Sequence, residues 1–468
     1  MTLEHLIVKA LNGLYRPSIR KPHGRDLVLG TARTQNRTSP VIFDEGARPM
    51  HLAVMGLSGV GKTYFLENLI RQDIDHGTGF VLFDVHGDLA DSVVAYLAER
   101  AKTRPELLDR VVLVEPFDAD HSVGFNPLEL SPGTSAFLQT QELAHILRSR
   151  WENRSFGPRT EELLRSSLYT LSIHNLTVLE LPRLLTNASF RKRLLGMLAE
   201  PAIADYWQGR YEVLSEPMKA VVREPLLTRV SAFIADPQIR DIVGQRKSTF
   251  SFRDAMADGS WVIVNISKGR LGENSQVLGS LLFTKLEFDV MARARVPQAE
   301  RKLFSVYADE LQNLAGRNLA TLVAEARKYG VSIVTGNQFW RQLSPEVRAA
   351  MLGVGSRVLF RLHYHDAGEL AGELDPVEKQ WYLELLTRLP RGEAVFRSGA
   401  ERPVPFTVPR HHAPKATATE IENVRQHSRS HFASPRKVVE DDIERRYQQQ
   451  PREDLSIILE RDDQPLHL

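Results

Sequence analysis

The stretch that most restricts what this chain can fold into is GLSGVGKT, Gly56–Thr63, set between the apolar run HLAVM and the segment YFLENLI, whose apolar residues recur at helical spacing. Gly56, Gly61, Lys62 and Thr63 fit the pattern G-x-x-x-x-G-K-[ST]. Glycines at these places let successive backbone N–H groups converge on phosphate oxygens, with Ser58, Gly59, Val60 and Tyr64 completing the cradle. The lysine adds a point charge at the β- and γ-phosphates, and the threonine hydroxyl is a ligand for Mg2+. A strand before and a helix after supply the context such a loop needs. The expected ligands are therefore ATP and Mg2+.

The surrounding pattern agrees with layered α/β structure. HLAVMG, GFVLFDV and RVVLVEP are short apolar runs separated by helical stretches, which predicts a mostly parallel sheet flanked by helices. From Ser131 to about Lys247 strand signals fade, and QTQELAHILRSRW, RTEELLRSSLYTL and SFRKRLLGMLAE carry three- and four-residue apolar spacing, so an inserted all-helical domain is expected. Strands resume with GSWVIVNIS, LFSVYADE, VSIVTGNQ and SRVLFRLHY; GEAVFRSG and PVPFTVP predict an antiparallel hairpin at the sheet edge. The domain reading is residues 1–47 as an extension, 48–130 and 248–409 as the core, 131–247 as the helical insertion and 410–468 as a charged, partly helical tail. Within the extension the prolines leave room for a short helix, loops and one strand, PVIFD; the tail is expected to hold one or two exposed helices.

Composition excludes several classes. There is no cysteine, hence no disulfide, thiolate metal site or cysteine nucleophile. Sixty Lys plus Arg against 58 Asp plus Glu leave no whole-chain footprint of nucleic-acid binding, so any such surface must be local. The clusters at Arg191–Arg193, Arg246–Lys247 and Arg293–Arg295 are ordinary solvated surface unless something else selects them. No apolar run reaches the roughly 18 residues of a membrane span, so no integral membrane segment is expected. The expected location is the cytoplasm, with any attachment to the inner membrane made through a partner.

Two further segments carry chemistry. In LFSVYADELQNL an apolar strand ends in Asp309 and Glu310, which suits Mg2+ ligation by Asp309 and general-base work by Glu310 on an attacking water. In VSIVTGNQ a polar side chain at the strand tip, Gln338 ahead of Asn337, is placed to report the γ-phosphate. Asp84, His86 and Asp88 in DVHGD are too few for a metal site, and Asp84 and His86 read as polar supports near the phosphates.

These phrases in order, with WVIVNISKG, EARKYGVSIVTGNQ and GSRVLFRL, resemble the HerA/FtsK superfamily of ring ATPases, and within it the TraG/TraD-type conjugative coupling proteins. The resemblance implies a RecA-like P-loop NTPase core with an inserted all-alpha domain, a homo-hexamer with ATP between subunits, and DNA in a central channel. It carries over Lys62 and Thr63 as the phosphate-loop pair, Asp309 and Glu310 as the Walker B pair and Gln338 as the strand-tip residue. Arg327 falls where coupling proteins place an arginine acting on the neighbouring subunit's site. Coupling proteins usually begin with transmembrane helices and none is expected in this sequence, a departure from the group that leaves anchoring at a secretion channel without support.

The function implied is an ATP-hydrolysing translocase moving single- or double-stranded DNA, with a relaxase, a nuclease or a secretion channel as candidate partners. Two other readings stay open: a nucleotide-controlled scaffold that recruits an effector or relaxase, and a motor for secreted protein. A general base at Glu310 speaks against a hydrolysis-dead scaffold and is silent on the cargo.

Overall fold

The computed structural model describes residues 21–34, 37–130, 133–150, 157–311, 314 and 319–448. The expected helix in the first twenty residues lies outside this range. Thirteen strands are described: β1 (Leu27–Thr34), β2 (Arg37–Phe43), β3 (Leu52–Met55), β4 (Gly79–Asp84), β5 (Val111–Val114), β6 (His121–Val123), β7 (Trp261–Asn265), β8 (Phe304–Asp309), β9 (Val331–Asn337), β10 (Ser356–Leu359), β11 (Glu393–Ser398), β12 (Val404–Thr407) and β13 (Ala433–Pro435). Eleven form one sheet in the order β2-β1-β12-β11-β10-β3-β9-β8-β4-β7-β5. From β10 to β5 every neighbouring pair is parallel. Helices cover both faces, so β3, β4, β5, β7, β8 and β9 are buried at every residue, as an internal parallel sheet requires.

The remaining four strands are antiparallel. Here two expectations fail. The β11–β12 hairpin forms but is not at the edge, because β1 and β2 extend the sheet beyond it. The extension contributes two strands rather than one. β1 was hidden by Gly30, which a strand reading penalises. A Cβ at Gly30 would sit 2.2 Å from the Thr407 carbonyl oxygen, so only glycine allows β1 to close against β12.

Between β6 and β7 the described elements are all helical, including Ala136–Arg150, Pro158–Ile173 and Glu216–Ile234. Their apolar residues, among them Leu163, Leu168 and Trp207, join the same buried cluster as Val81, Phe83 and Val264 of the sheet. Among the described residues no helix is long and apolar enough to cross a membrane.

The tail is not an exposed appendage. Helix Ala418–Phe432 lies along β5, burying Val424 and accepting the Leu113 N–H on Ser428 Oγ at 2.9 Å. It thereby covers a sheet edge that would otherwise offer free N–H groups. β13 then pairs with β6, and helix Arg436–Gln448 packs Val439 and Ile443 on Leu179 of the insertion. The tail straps the sheet to the insertion.

Candidate functional site

The phosphate-loop segment is fixed at both ends by the sheet. Gly56 N–H donates to the Asn337 carbonyl of β9 at 3.2 Å, and Leu57 N–H to the Arg361 carbonyl beyond β10 at 2.9 Å. A Cβ at Gly56 would lie 2.6 Å from that of Phe360, so the loop passes too close for any other residue. Gly59 (φ 74°) and Gly61 (φ 111°) adopt left-handed backbone that glycine alone enters cheaply, turning the chain into helix Lys62–His76. The first N–H groups of that helix have no partners within it and point to where an anion would sit.

A cavity of about 400 Å³ opens at this loop, lined by Ser58, Gly59, Gly61, Lys62, Thr63, Tyr64, His86, Asp309, Glu310, Gln338 and Arg391. Gly56 and Val60 do not line it; Val60 is buried, and its carbonyl accepts the Gly392 N–H at 3.0 Å. Lys62 Nζ donates to the Gly56 and Leu57 carbonyls at 2.7 and 3.0 Å. Burial pulls the Lys62 ammonium below its ordinary pKa, and the Asp309 and Glu310 carboxylates partly restore it.

Asp309 ends β8 and Glu310 follows it, and both are buried. Burial first, then the nearby Asp84 and Glu310 carboxylates, pushes the Asp309 carboxyl up to about 6, against the opposing pull of His86 and Lys62. Gly336 makes room for this crowding, since a Cβ there would lie 2.7 Å from Asp309 Oδ1. Glu310 has φ 59°, a left-handed conformation uncommon for a side-chain-bearing residue, and its N–H donates to the Gly336 carbonyl at 2.8 Å. Strain of this kind, of order 1 kcal/mol or more, persists where surrounding bonds over-determine it. Here it turns Glu310 off the strand axis into the cavity.

Gln338 lines the cavity, while Asn337 is buried within β9 opposite Met55. Asp84 and His86 have separate roles. Asp84 is fully buried, accepting the His86 N–H at 2.9 Å and the Ala90 N–H at 2.8 Å, which anchors the start of helix Asp88–Ala101; His86 itself faces the cavity. Arg327 is exposed and does not line this cavity. The helix before it is tethered by His51, whose Nδ1 accepts the Ile333 N–H at 3.1 Å, so Nε2 donates to the Val323 carbonyl at 2.8 Å. Burial pushes the His51 imidazole down to about 4, which keeps it in that neutral form.

Sequence reasoning missed two features of the wall. Arg391 reaches the cavity from the turn before β11, more than three hundred residues after the loop, and no local pattern marks it. The Tyr64 ring stacks on His411 with centroids 3.8 Å apart and planes 6° from parallel, and Tyr64 Oη donates to the His411 carbonyl at 2.9 Å. The start of the tail thus backs one residue of the cavity wall. The donor set suits Mg2+: a hydroxyl and a carboxylate are hard oxygen ligands, and a cation relieves the repulsion that raises Asp309.

The family model of the type IV secretion-system coupling protein DNA-binding domain matches residues 39–347. No curated protein matches the sequence significantly. Among solved structures, the plasmid coupling protein TrwB in complex with a non-hydrolysable ATP analogue is similar at 18% identity and TM-score 0.61, over 86% of this chain and 92% of that one. TrwB with ADP and Mg2+ gives 18% and 0.60 over 86% and 93%. VirB4 of Thermoanaerobacter pseudethanolicus gives 15% and 0.52 over 87% and 100%.

Proposed function

The chain belongs to the type IV secretion-system coupling protein DNA-binding-domain family, and from that premise we propose that it is an ATP-hydrolysing ring motor that moves DNA, in conjugative transfer or with a partner nuclease. The observation carrying this reading is that Lys62 with Thr63, Asp309 with Glu310, and Gln338, from three separate segments, line one cavity while Arg327 stands exposed outside it.

Each group has a distinct task in phosphoryl transfer to water. Loop N–H groups and Lys62 bind the phosphate oxygens and hold the terminal phosphoryl in place. Glu310 orients the attacking water and takes its proton. Thr63 and Asp309 would hold Mg2+, which would supply charge neutralisation on the phosphates. Gln338 senses whether the terminal phosphate is present and passes that state to β9. Arg391 adds a second cation from the same subunit. Arg327, exposed and outside its own cavity's lining, serves the neighbouring subunit's site, where a guanidinium stabilises charge on the transferring group only in the assembled ring.

The test combines ATPase rates with and without single- and double-stranded DNA with a mass measurement of the assembled particle. DNA-stimulated hydrolysis in a hexamer is expected; assembled rings that neither bind DNA nor respond to it would overturn the reading. For Arg327, mixing Arg327→Ala with Lys62→Ala subunits should restore part of the activity each lacks, because mixed rings rebuild intact interfaces. No recovery after confirmed mixing removes the trans role.

A further inference from the structure

One residue past Gln338 the chain exposes an aromatic ring. Phe339 is 37% exposed and Tyr364 is 63% exposed. Phe339 lines an open cleft of about 410 Å³ together with Arg341, His363, His365 and Asp366. Tyr364, between the two histidines in sequence, stands beside the cleft rather than in its lining, with its ring edge-on to His365 at 5.9 Å, and the His363 and His365 rings stack at 5.5 Å. Exposed rings of this size cost free energy in water unless something covers them.

The cleft is held in shape. Trp340 is buried, and its N–H donates to Asp366 Oδ2 at 3.0 Å, tying the Phe339 segment to the start of helix Tyr364–Leu374 and engaging the acidic group of the cleft. Arg341 meets Glu369 at 3.7 Å, in a solvent-exposed pair that holds the guanidinium weakly. Both walls also connect to the nucleotide cavity. Gln338 precedes Phe339 directly, and the Arg361 carbonyl, two residues before His363, accepts the Leu57 N–H of the phosphate loop.

We propose that this cleft is a contact site for single-stranded nucleic acid, in which an unpaired base stacks on Phe339 and a backbone phosphate pairs with Arg341, while the next base reaches the exposed Tyr364 ring beside the cleft. The inference rests on the DNA-motor reading and adds where the strand is gripped and in which form. Flat rings beside a guanidinium suit bases and phosphates, and the open shape lacks the deep apolar pocket that a peptide anchor would fill. The preference for a single strand follows from geometry: in a duplex the base faces are already stacked on each other, so exposed rings gain nothing from them. Because the grip lies one residue from Gln338, a shift of β9 with the phosphate state reaches the strand without a long relay.

The test measures anisotropy of a labelled oligothymidylate and of a blunt duplex on the full assembled chain, for wild type, Phe339→Ala, Tyr364→Ala and Arg341→Ala. Wild type is expected to bind the single strand more tightly. Each aromatic variant should lose about tenfold in affinity for it, Phe339→Trp should retain it, and Arg341→Ala should reduce the salt slope by about 0.7. A variant with a lowered melting temperature is replaced by Phe339→Leu, which keeps bulk and loses the ring. If wild type binds DNA and all variants bind equally well, or if wild type prefers the duplex, the site is overturned and the motor reading stands. If assembled wild type binds neither form, the motor reading falls and the site with it.

Discussion

The nucleotide cavity and the interface beneath the C-terminal tail are both dense in charge, and they arrange it in opposite ways. At the cavity Asp309 and Glu310 sit close to the buried Asp84, and burial first, then these neighbouring carboxylates, pushes Asp309 up to about 6. Under the tail the charges alternate: Arg425 meets Glu115 at 3.0 Å, Arg429 meets Asp118 at 2.6 Å, Arg436 meets Asp241 at 2.5 Å and Arg446 meets Glu180 at 3.0 Å. Like charges held close lower stability and are useful only when an incoming cation completes them. Complementary charges need nothing from outside. The first region is built for a ligand that comes and goes, the second for a segment of the same chain that stays.

The largest effect that can break this contrast is on chemistry. Glu310→Gln keeps the shape of the side chain and removes the base, so turnover should fall by about 10² to 10⁴-fold while nucleotide affinity holds. Phosphate release and fluorescent-nucleotide binding measure the two separately; turnover within threefold of wild type would mean that Glu310 only crowds the cavity. On the other side, Arg436→Ala leaves the fully buried Asp241 with Arg240, at 3.2 Å, as its ion-pair partner among the described residues. Burial already outweighs its two arginines in raising the Asp241 carboxyl. Losing one should cost about 3 kcal/mol in urea unfolding, and a cost under about 0.5 kcal/mol would show the tail to be loosely laid.

The same contrast explains how much could be read in advance. The phosphate loop, the acidic strand end and Gln338 were legible because their chemistry is local: each needs certain residue types within a few positions. The parallel strands were legible because complete burial demands unbroken apolar runs. What was missed is non-local. β1 looks too broken by Gly30 until β12 lies against it, and Arg391 belongs to no pattern until its turn meets Val60. The tail helix buries little beyond a stripe of Ile421, Val424 and Ser428, and ion pairs hold the rest, so its composition reads as solvated surface.

The burial and charge crowding of Asp309 can be measured as stability. Asp309 holds its proton more tightly folded than unfolded, so wild-type stability declines as pH rises from the ordinary value of 3.8 through about 6, and the full cost is present above that. Asp309→Asn lacks this decline. In magnesium-free buffer at pH 8 it should be more stable than wild type by about 3 kcal/mol, with the difference closing near pH 4, although it binds Mg2+-nucleotide more weakly. A variant less stable than wild type at pH 8 would mean that the carboxylate is satisfied within the cavity and that the contrast drawn here is wrong.

The smallest effect probes the tail at its hydrogen bond to the sheet edge. Ser428 Oγ accepts the Leu113 N–H of β5 at 2.9 Å, and both atoms are buried. Ser428→Ala strands that N–H without disturbing any ion pair, so it separates edge coverage from charge pairing. A loss of about 1 kcal/mol is expected, with faster amide exchange at Leu113. Exchange at Val262 and Ile263 of β7, one strand further in, should not change, because their hydrogen bonds lie within the parallel sheet. If Leu113 exchanges no faster, the tail is held by its arginines alone and the β5 edge is covered without being bonded.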